Sequence, residues 1–302
     1  MIFRWKCPLA ALETLPGAGV DYKLWAVARM LAIRPGSGDV KTHSDSESCR
    51  LVIKDMFYEL SITWKTLRRE GLGSLFNKLR IYFGDLTAAV SFLLTRRPAA
   101  KPDAVIQFIW EAGHGLICPG QFKSELAGLL NWLGQRPPPK AVLEIGTARG
   151  GTLFCWCALS APDATVISLD LPQGIHGGGY PPWKALVYRR FAQSKQNLHL
   201  LRGDSHDPAM FAAVKKLVPV DGLDFLFIDG DHTLDGVRRD YEMYSPLVKP
   251  GGAIVFHDIC THDAAFDCHV DQYWNEVKQG RPYQEYIENP SQGMFGIGVI
   301  TK

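Results

Sequence analysis

Two neighbouring segments in the C-terminal half of the chain carry the side chains best suited to proton transfer. Asp229-Gly-Asp231-His232 follows one short apolar run, and His257-Asp258 follows the next. Histidine titrates near neutral pH, so His232 is a candidate general base, with a carboxylate close to it in the sequence. These residue types predict a reaction centre.

The elements that position these groups follow from an alternating pattern. From Ala141 onward, strand-like apolar runs alternate with helical stretches, which predicts right-handed crossovers and a mostly parallel sheet. In an open parallel sheet, ligands bind at the carboxyl ends of the strands, so the polar ends of these runs are predicted to line one cleft. The runs are residues 141–145, 165–169, 198–201, 223–228 and 253–256, with an antiparallel edge predicted from residues 283–287 and 294–300.

A glycine loop, Gly146-Thr-Ala-Arg-Gly150-Gly151, follows the first strand and precedes a helix. Glycine lets the backbone pass close to a bound ligand. The spacing lacks the GxGxxG pattern of pyrophosphate binders. Glu144, just before the loop, would repel a pyrophosphate and attract a cationic amino-acid group. The alternative is that Glu144 is a capping or salt-bridge residue.

The ends of the next two strands supply acids for the rest of a nucleoside. Asp170 is placed to accept hydrogen bonds from ribose hydroxyls, and Asp204 with Ser205 is placed to hold an adenine edge. With the glycine loop, they predict a site for a nucleoside that carries a positively charged amino-acid tail. The predicted cofactor-binding residues are Glu144, Gly146, Thr147, Gly150, Asp170, Asp204 and Ser205.

On these motifs, residues 120–302 resemble the class I S-adenosylmethionine-dependent methyltransferases, in particular the cephalosporin hydroxylase and sugar O-methyltransferase-like group. Residues 143–151, Asp170 and Asp204 match the family's cofactor motifs in order. The resemblance implies a Rossmann-like α/β fold with a doubly wound, mostly parallel seven-stranded sheet. It also implies S-adenosyl-L-methionine as the cofactor and methyl transfer as the reaction. A nicotinamide-binding domain is the alternative, disfavoured by Glu144 and the glycine spacing.

The resemblance also implies a divalent metal, held by the carboxylate that ends strand four and a polar pair that ends strand five. Carried over, its ligands are Asp229, His257 and Asp258. Oxygen ligands suit Mg²⁺, whereas relatives more often have a carboxylate in place of His257. Its imidazole either shifts the preference toward Mn²⁺, Fe²⁺ or Zn²⁺ or is not a direct ligand of the metal. Asp229 and His232 are the predicted catalytic residues, with His232 taking the proton of a hydroxyl whose pKa the metal lowers. Asp231 is a second ligand or orients His232.

Other interpretations of these residues stay open. Asp229 can instead cap the helix that begins near Thr233, His232 can be a bystander, and His257-Asp258 can bind substrate or cofactor without a metal. We expect O-methylation of a hydroxyl on a saccharide or small natural product. The alternatives are a metal-free N- or C-methyltransferase and a catalytically silent cofactor-binding subunit that docks a partner or membrane.

Composition limits the classes of partner and compartment. A net charge of +2 gives no case for nucleic acid, but residues 1–100 hold 15 Lys and Arg against 9 Asp and Glu. This basic region can contact a membrane surface or an anionic partner, or it can be a solvated helical face. Seven cysteines without a CxxC pair favour a reducing cytoplasm. Cys260, His262, Cys268 and His269 fit none of the familiar zinc-finger spacings.

Three regions are predicted along the chain. Residues 1–100 form a helical N-terminal region, 101–140 a linker and lead-in helix, and 141–302 the catalytic domain. Residues 172–183, rich in glycine and proline, are predicted to be a lid whose Tyr180 and Trp183 stack on the acceptor; the alternative is an ordinary surface loop. The apolar run at residues 81–94 is shorter than a spanning helix requires. The family resemblance further implies a homo-oligomer.

Overall fold

The computed structural model describes residues 84, 85, 87–172, 179–263 and 265–302. The chain divides into two compact units, Met1–Leu94 and Thr95–Lys302. In the first unit, residues 87–94 are helical. Residues 1–83 and 86 of the predicted helical N-terminal region lie outside the described residues. Within the described ranges, no helix combines the length and apolar character needed to cross a bilayer.

The second unit is built on a seven-stranded sheet in the order β3-β2-β1-β4-β5-β7-β6. The first five strands run parallel, and β7 is antiparallel to both of its neighbours. The predicted doubly wound, mostly parallel sheet with an antiparallel edge is confirmed. The strands are β1 (Ala141–Ile145), β2 (Thr165–Asp170), β3 (Asn197–Arg202), β4 (Leu223–Ile228), β5 (Val248–His257), β6 (Tyr283–Tyr286) and β7 (Ile297–Thr301).

Helices flank the sheet, and local sequence sets several of their starts. The side chains of Asp207 and Thr233 cap α5 and α6 by accepting hydrogen bonds from Ala209 N (2.8 Å) and Gly236 N (3.0 Å). Residues 101–140, predicted to hold one lead-in helix, contain two. The helices are α1 (Pro102–Glu111), α2 (Lys123–Gly134), α3 (Gly151–Leu159), α4 (Lys184–Tyr188), α5 (Pro208–Leu217), α6 (Leu234–Tyr244) and α7 (Val270–Val277).

The core lies on both faces of the parallel strands. All five residues of β1 are buried, and the ring of Trp156 on α3 packs against Phe225 and Phe227 of β4 at centroid distances of 4.7 and 5.2 Å. Because helices cover both faces, these strands appear in the sequence as continuous apolar runs. Burial of each large apolar side chain stabilises the fold by about 1.5–3 kcal/mol.

Strand β5 is longer than its predicted apolar run, because it begins at Val248 and not at Ala253. The extension pairs with the end of the chain: Gly251 N donates to Lys302 O (2.7 Å) and Lys302 N donates to Gly252 O (2.9 Å). These long-range contacts give no local signal in the sequence. They anchor the strand that carries His257 at its other end.

Candidate active site

A cleft of about 460 Å³ opens at the carboxyl ends of β1, β2, β4 and β5, beside the point where the strand order reverses between β1 and β4. Its volume is in the range that small-molecule sites occupy. Among the residues predicted for the cofactor, the reaction and the metal, Glu144 alone is absent from its lining. The others that line it are Gly146, Thr147, Gly150, Asp170, Asp204, Ser205, Asp229, His232, His257 and Asp258.

The glycine loop packs directly against the end of β4. Gly146 adopts a φ of 90°, and a Cβ atom there would collide with the carbonyl oxygen of Asp229. Asp229 N in turn donates to Ile145 O (2.9 Å). Glycine at position 146 therefore brings the predicted cofactor loop and the predicted reaction centre into contact.

Asp170 shapes that loop through its own hydrogen bonds. Its Oδ1 accepts the backbone N–H groups of Thr147 (2.9 Å) and Ala148 (3.0 Å), and its Oδ2 accepts that of Tyr180 (3.0 Å). The residue is buried, yet it lines the cleft. Its contact with a ribose stays a prediction, while its support of the loop is present in the structure.

Glu144 lies beneath the cleft. Its carboxylate is fully buried and accepts the indole N–H of Trp156 at 2.8 Å. Burial raises the pKa of Glu144 to about 8, and hydrogen bonds from Thr152, Thr147 and Trp156 offset only part of that rise. Its predicted contact with the cofactor has no counterpart in this geometry and stays a prediction.

Asp204 and Ser205 occupy the far end of the cleft. Asp204 Oδ1 accepts His206 N (2.8 Å), while more than half of its side chain remains exposed. The hydroxyl of Tyr244 donates to Ser205 O (2.8 Å), which fixes the backbone there. An exposed carboxylate in a fixed turn can accept hydrogen bonds from a ligand. The contact of Asp204 with an adenine stays a prediction.

The groups predicted for the reaction and the metal converge on one point. His257 Nδ1 lies 2.9 Å from Asp229 Oδ1 and 3.1 Å from Asp258 Oδ2. His232 Nε2 lies 3.4 Å from the same two oxygens. Asp258 reaches this position with a φ of 63°, a conformation that non-glycine residues rarely adopt and that functional sites often retain.

The two carboxylates and two imidazoles perturb one another strongly. Burial alone would raise the pKa of Asp229 and Asp258, but the charge and hydrogen bond of His257, together with His232 and, for Asp258, His262, outweigh it and hold both pKa values below the ordinary value. Burial alone would lower the pKa of His257 and His232, but the two carboxylates outweigh it and raise both. Such opposed shifts in a cleft are characteristic of functional sites.

The capping alternative for Asp229 is wrong, because Thr233 caps α6. Asp231 supports that cap, since its Oδ1 accepts hydrogen bonds from Thr233 N (2.9 Å) and Thr233 Oγ1 (2.8 Å). This leaves the carboxylate of Asp229 to face the two histidines. Its remaining oxygen, Oδ2, is 2.8 Å from the side-chain nitrogen of Gln121.

Two cleft residues that contact the predicted reaction centre were not predicted from the sequence. Gln121, just before α2, donates its Nε2 hydrogen to Asp229, and the ring of Phe295, just before β7, stacks on His257 at 5.4 Å. Neither stands at a strand end, and no motif marks them. They reach the site through the packing of α2 and of the loop before β7.

Tyr180 is not available to stack on an acceptor, so the stacking prediction is wrong for Tyr180 and stays a prediction for Trp183. Its side chain is 2% exposed, and its ring packs edge-on against Tyr188 at 4.8 Å and beneath the guanidinium of Arg202 at 5.2 Å. Residues 173–178 of the predicted lid lie outside the described residues.

Residues 143–259 match the family model of a methyltransferase domain. This part of the chain is similar to the methyltransferase domains that the family model describes. The match begins within β1, the strand before the glycine loop, and ends just past Asp258. It therefore contains all of the predicted cofactor and metal residues. Gln121 and Phe295 lie outside it.

Two curated relatives and one solved structure are similar to the chain. An uncharacterized protein of Sinorhizobium fredii is 29% identical over 174 residues, which are 55% of this chain and 18% of that protein. An uncharacterized protein of Acanthamoeba polyphaga mimivirus is 34% identical over 116 residues, 38% of this chain and 50% of that protein. The chain thus spans half or less of these relatives' lengths.

The solved structure is an O-methyltransferase from Bacillus cereus in complex with SAH. It is 18% identical and aligns over 72% of this chain and 97% of its own, with a TM-score of 0.45.

Proposed function

We propose that the protein transfers the methyl group of S-adenosyl-L-methionine to a hydroxyl oxygen of a saccharide or small natural product, assisted by a divalent cation. The observation that carries the proposal is the convergence of Asp229, His232, His257 and Asp258 beside the glycine loop. Methyl transfer from a sulfonium needs little from a protein beyond alignment and removal of the acceptor's proton. The cluster offers groups for both tasks.

The spacing of the donor atoms fits a cation. An octahedral ion with bonds of about 2.1 Å holds adjacent ligand atoms about 3.0 Å apart. Asp229 Oδ1, His257 Nδ1 and Asp258 Oδ2 are separated by such distances along the two measured edges, 2.9 and 3.1 Å. Two carboxylates and one imidazole suit Mg²⁺ or Mn²⁺, with Fe²⁺ as a further candidate.

The chain's own groups then have separate tasks. The loop from Gly146 to Gly150, supported by Asp170, would hold the methionine and ribose portions of the cofactor, and Asp204 with Ser205 the adenine. His232, the most exposed member of the cluster, would take the proton of the acceptor hydroxyl. When bound, a cation would lower the pKa of that hydroxyl and counter the carboxylates that raise the pKa of His232.

Chelation followed by metal replacement tests this proposal. We expect methylation of hydroxyl acceptors to stop after EDTA treatment and to return with Mg²⁺ or Mn²⁺, while cofactor affinity changes little. Methylation of an amine or carbon acceptor that survives EDTA would favour the metal-free alternative. Cofactor binding without turnover on any acceptor class, with metal supplied, would favour a silent cofactor-binding subunit.

A further inference from the structure

Cys268 lies beside His232 and Asp258 of the reaction centre. One ligand atom each from His232, Asp258 and Cys268 can be chosen so that all three lie within 4.8 Å of one another. Cys268 is a buried free thiol. The adjacent backbone group, His269 N, donates to His232 O at 2.8 Å and so ties this segment to His232.

This second set differs in chemistry from the first. Asp229, His257 and Asp258 offer two oxygens and one nitrogen, whereas the second set offers sulfur, nitrogen and oxygen. Thiolate and imidazole ligands select softer ions, and three protein ligands with an open fourth position describe a common zinc site. In a tetrahedral zinc site with bonds of about 2.0–2.3 Å, ligand atoms lie roughly 3.3–3.8 Å apart. These distances are compatible with the separation of at most 4.8 Å among His232, Asp258 and Cys268.

The set shares only Cys268 with the cysteine and histidine group noted in the sequence. His269 pairs with the exposed Asp267 at 3.1 Å. His262 contacts the Cys268 thiol. It also supports Asp258, because its Nε2 lies 3.0 Å from Asp258 Oδ1 and leaves Oδ2 to face His232. An outer hydrogen bond of this kind fixes the direction in which a ligating carboxylate points.

We propose that His232, Asp258 and Cys268 form a second, alternative cation site that takes a thiophilic divalent metal such as Zn²⁺. Binding forms one bond each to nitrogen, oxygen and sulfur, and releases to solvent the proton of the Cys268 thiol and any proton on His232. The two cation sites share Asp258, so a cation at one site competes with a cation at the other for this carboxylate. Zinc at the second site also occupies His232, and the resulting inhibition of methyl transfer rests on the function proposed above.

Cobalt substitution tests the site without reference to turnover. With Co²⁺ as the probe, we expect the wild-type protein to bind the metal with a thiolate-to-cobalt charge-transfer band in the near ultraviolet. The band should vanish in Cys268→Ser and persist in Cys260→Ser, a matched change at another buried free thiol nearby. Zn²⁺ affinity, measured by competition, should fall at least tenfold in Cys268→Ser alone.

A band that persists in Cys268→Ser, or one that is lost equally in Cys260→Ser, would overturn the site. If Cys268→Ser fails to fold, thiol alkylation of the wild type gives the same answer. Zn²⁺ should then protect Cys268 from iodoacetamide but leave the reactivity of Cys260 unchanged, and equal reactivity of Cys268 with and without Zn²⁺ would overturn the proposal.

Inhibition is measured separately, so the two proposals can fail independently. Zn²⁺ should inhibit Mg²⁺-supported turnover of the wild type at concentrations at least tenfold below those needed for Cys268→Ser. Equal inhibition of both proteins would overturn the alternative site as the cause. A cobalt band in a protein without methyl transfer would instead retain the site and reject the proposed function.

Discussion

The two halves of the cleft differ in what their carboxylates contact. On the side of β1 and β2, both carboxylate oxygens of Asp170 accept hydrogen bonds from backbone N–H groups of the glycine loop and of Tyr180. On the side of β4 and β5, the carboxylates of Asp229 and Asp258 both face His257 and His232, at distances of 2.9–3.4 Å. The first half is locally satisfied, whereas the second concentrates four titratable groups around one point.

This difference indicates where binding and chemistry are divided. A loop held by its own hydrogen bonds is shaped before a ligand arrives, so it lowers the entropic cost of binding. A cluster of mutually perturbed acids and bases costs stability unless its charges are compensated, and such costs are retained where they serve a reaction. We therefore expect substitutions in the two halves to separate cofactor affinity from turnover.

Asp229→Asn should give the largest effect. The amide keeps the shape of the side chain but removes the negative charge that His257 and His232 share, and we expect turnover to fall about a thousandfold, within the range of acid–base contributions. Cofactor affinity, measured by calorimetry, should stay within about threefold of wild type. A fully active Asp229→Asn enzyme would reject both the metal site and the division of the cleft.

Asp224→Asn is the matched control for that substitution. Asp224 lies at the opposite end of β4, where its Oδ2 accepts the N–H groups of Lys140 (2.7 Å) and Ala141 (2.9 Å). Its loss should lower the free energy of unfolding and leave turnover per folded molecule unchanged. A comparable loss of turnover in Asp224→Asn would mean that any lesion in β4 disables the protein.

Asp170→Ala, in contrast to Asp229→Asn, should lower cofactor affinity. It removes three charge-assisted hydrogen bonds that hold residues 147, 148 and 180, each worth about 1.5–3 kcal/mol. If even one such contribution is lost from the bound state, cofactor affinity falls about 10- to 100-fold. Unchanged cofactor binding, with Asp207→Ala at the cap of α5 as the control, would show that the loop does not depend on Asp170.

Gln121→Leu tests whether the residues outside the family match complete the reaction half. Leucine preserves the bulk but removes the hydrogen bond to Asp229 Oδ2, a loss of about 1–2 kcal/mol. We expect the turnover number to drop about tenfold while cofactor affinity is nearly unchanged. Gln107→Leu, at an exposed position on α1, should be silent. A fall in cofactor affinity without a fall in turnover would place Gln121 in the binding half.

The sequence predicted the cleft well because strand ends are a local feature. Asp170, Asp229 and Asp258 each stand at or just beyond the end of an apolar run, and parallel topology brings such ends to one edge. Glu144 differs because it lies within β1, where side chains point to the faces of the sheet and not past its end. Its carboxylate therefore meets Trp156 on α3.

The remaining site residues depend on contacts that no local pattern records. Gln121 and Phe295 are far apart in the chain and reach the cleft through a buried link between α2 and the loop before β7. Glu125 of α2 accepts hydrogen bonds from Glu288 N (3.1 Å), Gln292 Nε2 (2.7 Å) and Gly296 N (3.0 Å). A buried carboxylate on a helix gives no sequence signal of which distant loop it will bind.

Glu144→Gln should produce the smallest effect on function and a distinctive effect on stability. The folded-state pKa of Glu144, about 8, lies above its usual value of 4.5 because the carboxylate is buried. Between these pH values the folded protein binds more protons than the unfolded chain. The stability associated with protonated Glu144 is therefore full below pH 4.5 and is lost as the pH rises toward 8, at up to about 1.4 kcal/mol per pH unit.

Glutamine cannot ionise, and its amide oxygen can still accept the indole N–H of Trp156. Urea unfolding at several pH values should therefore show a flatter pH dependence for Glu144→Gln, with a gain in stability over wild type at pH 8. Glu276→Gln, at a largely exposed pair with Arg238, should keep the wild-type slope, and equal slopes in all three proteins would contradict the burial argument. Cofactor affinity should stay within about threefold of wild type; a tenfold loss would instead restore Glu144 to the binding half, as its position before the glycine loop predicts.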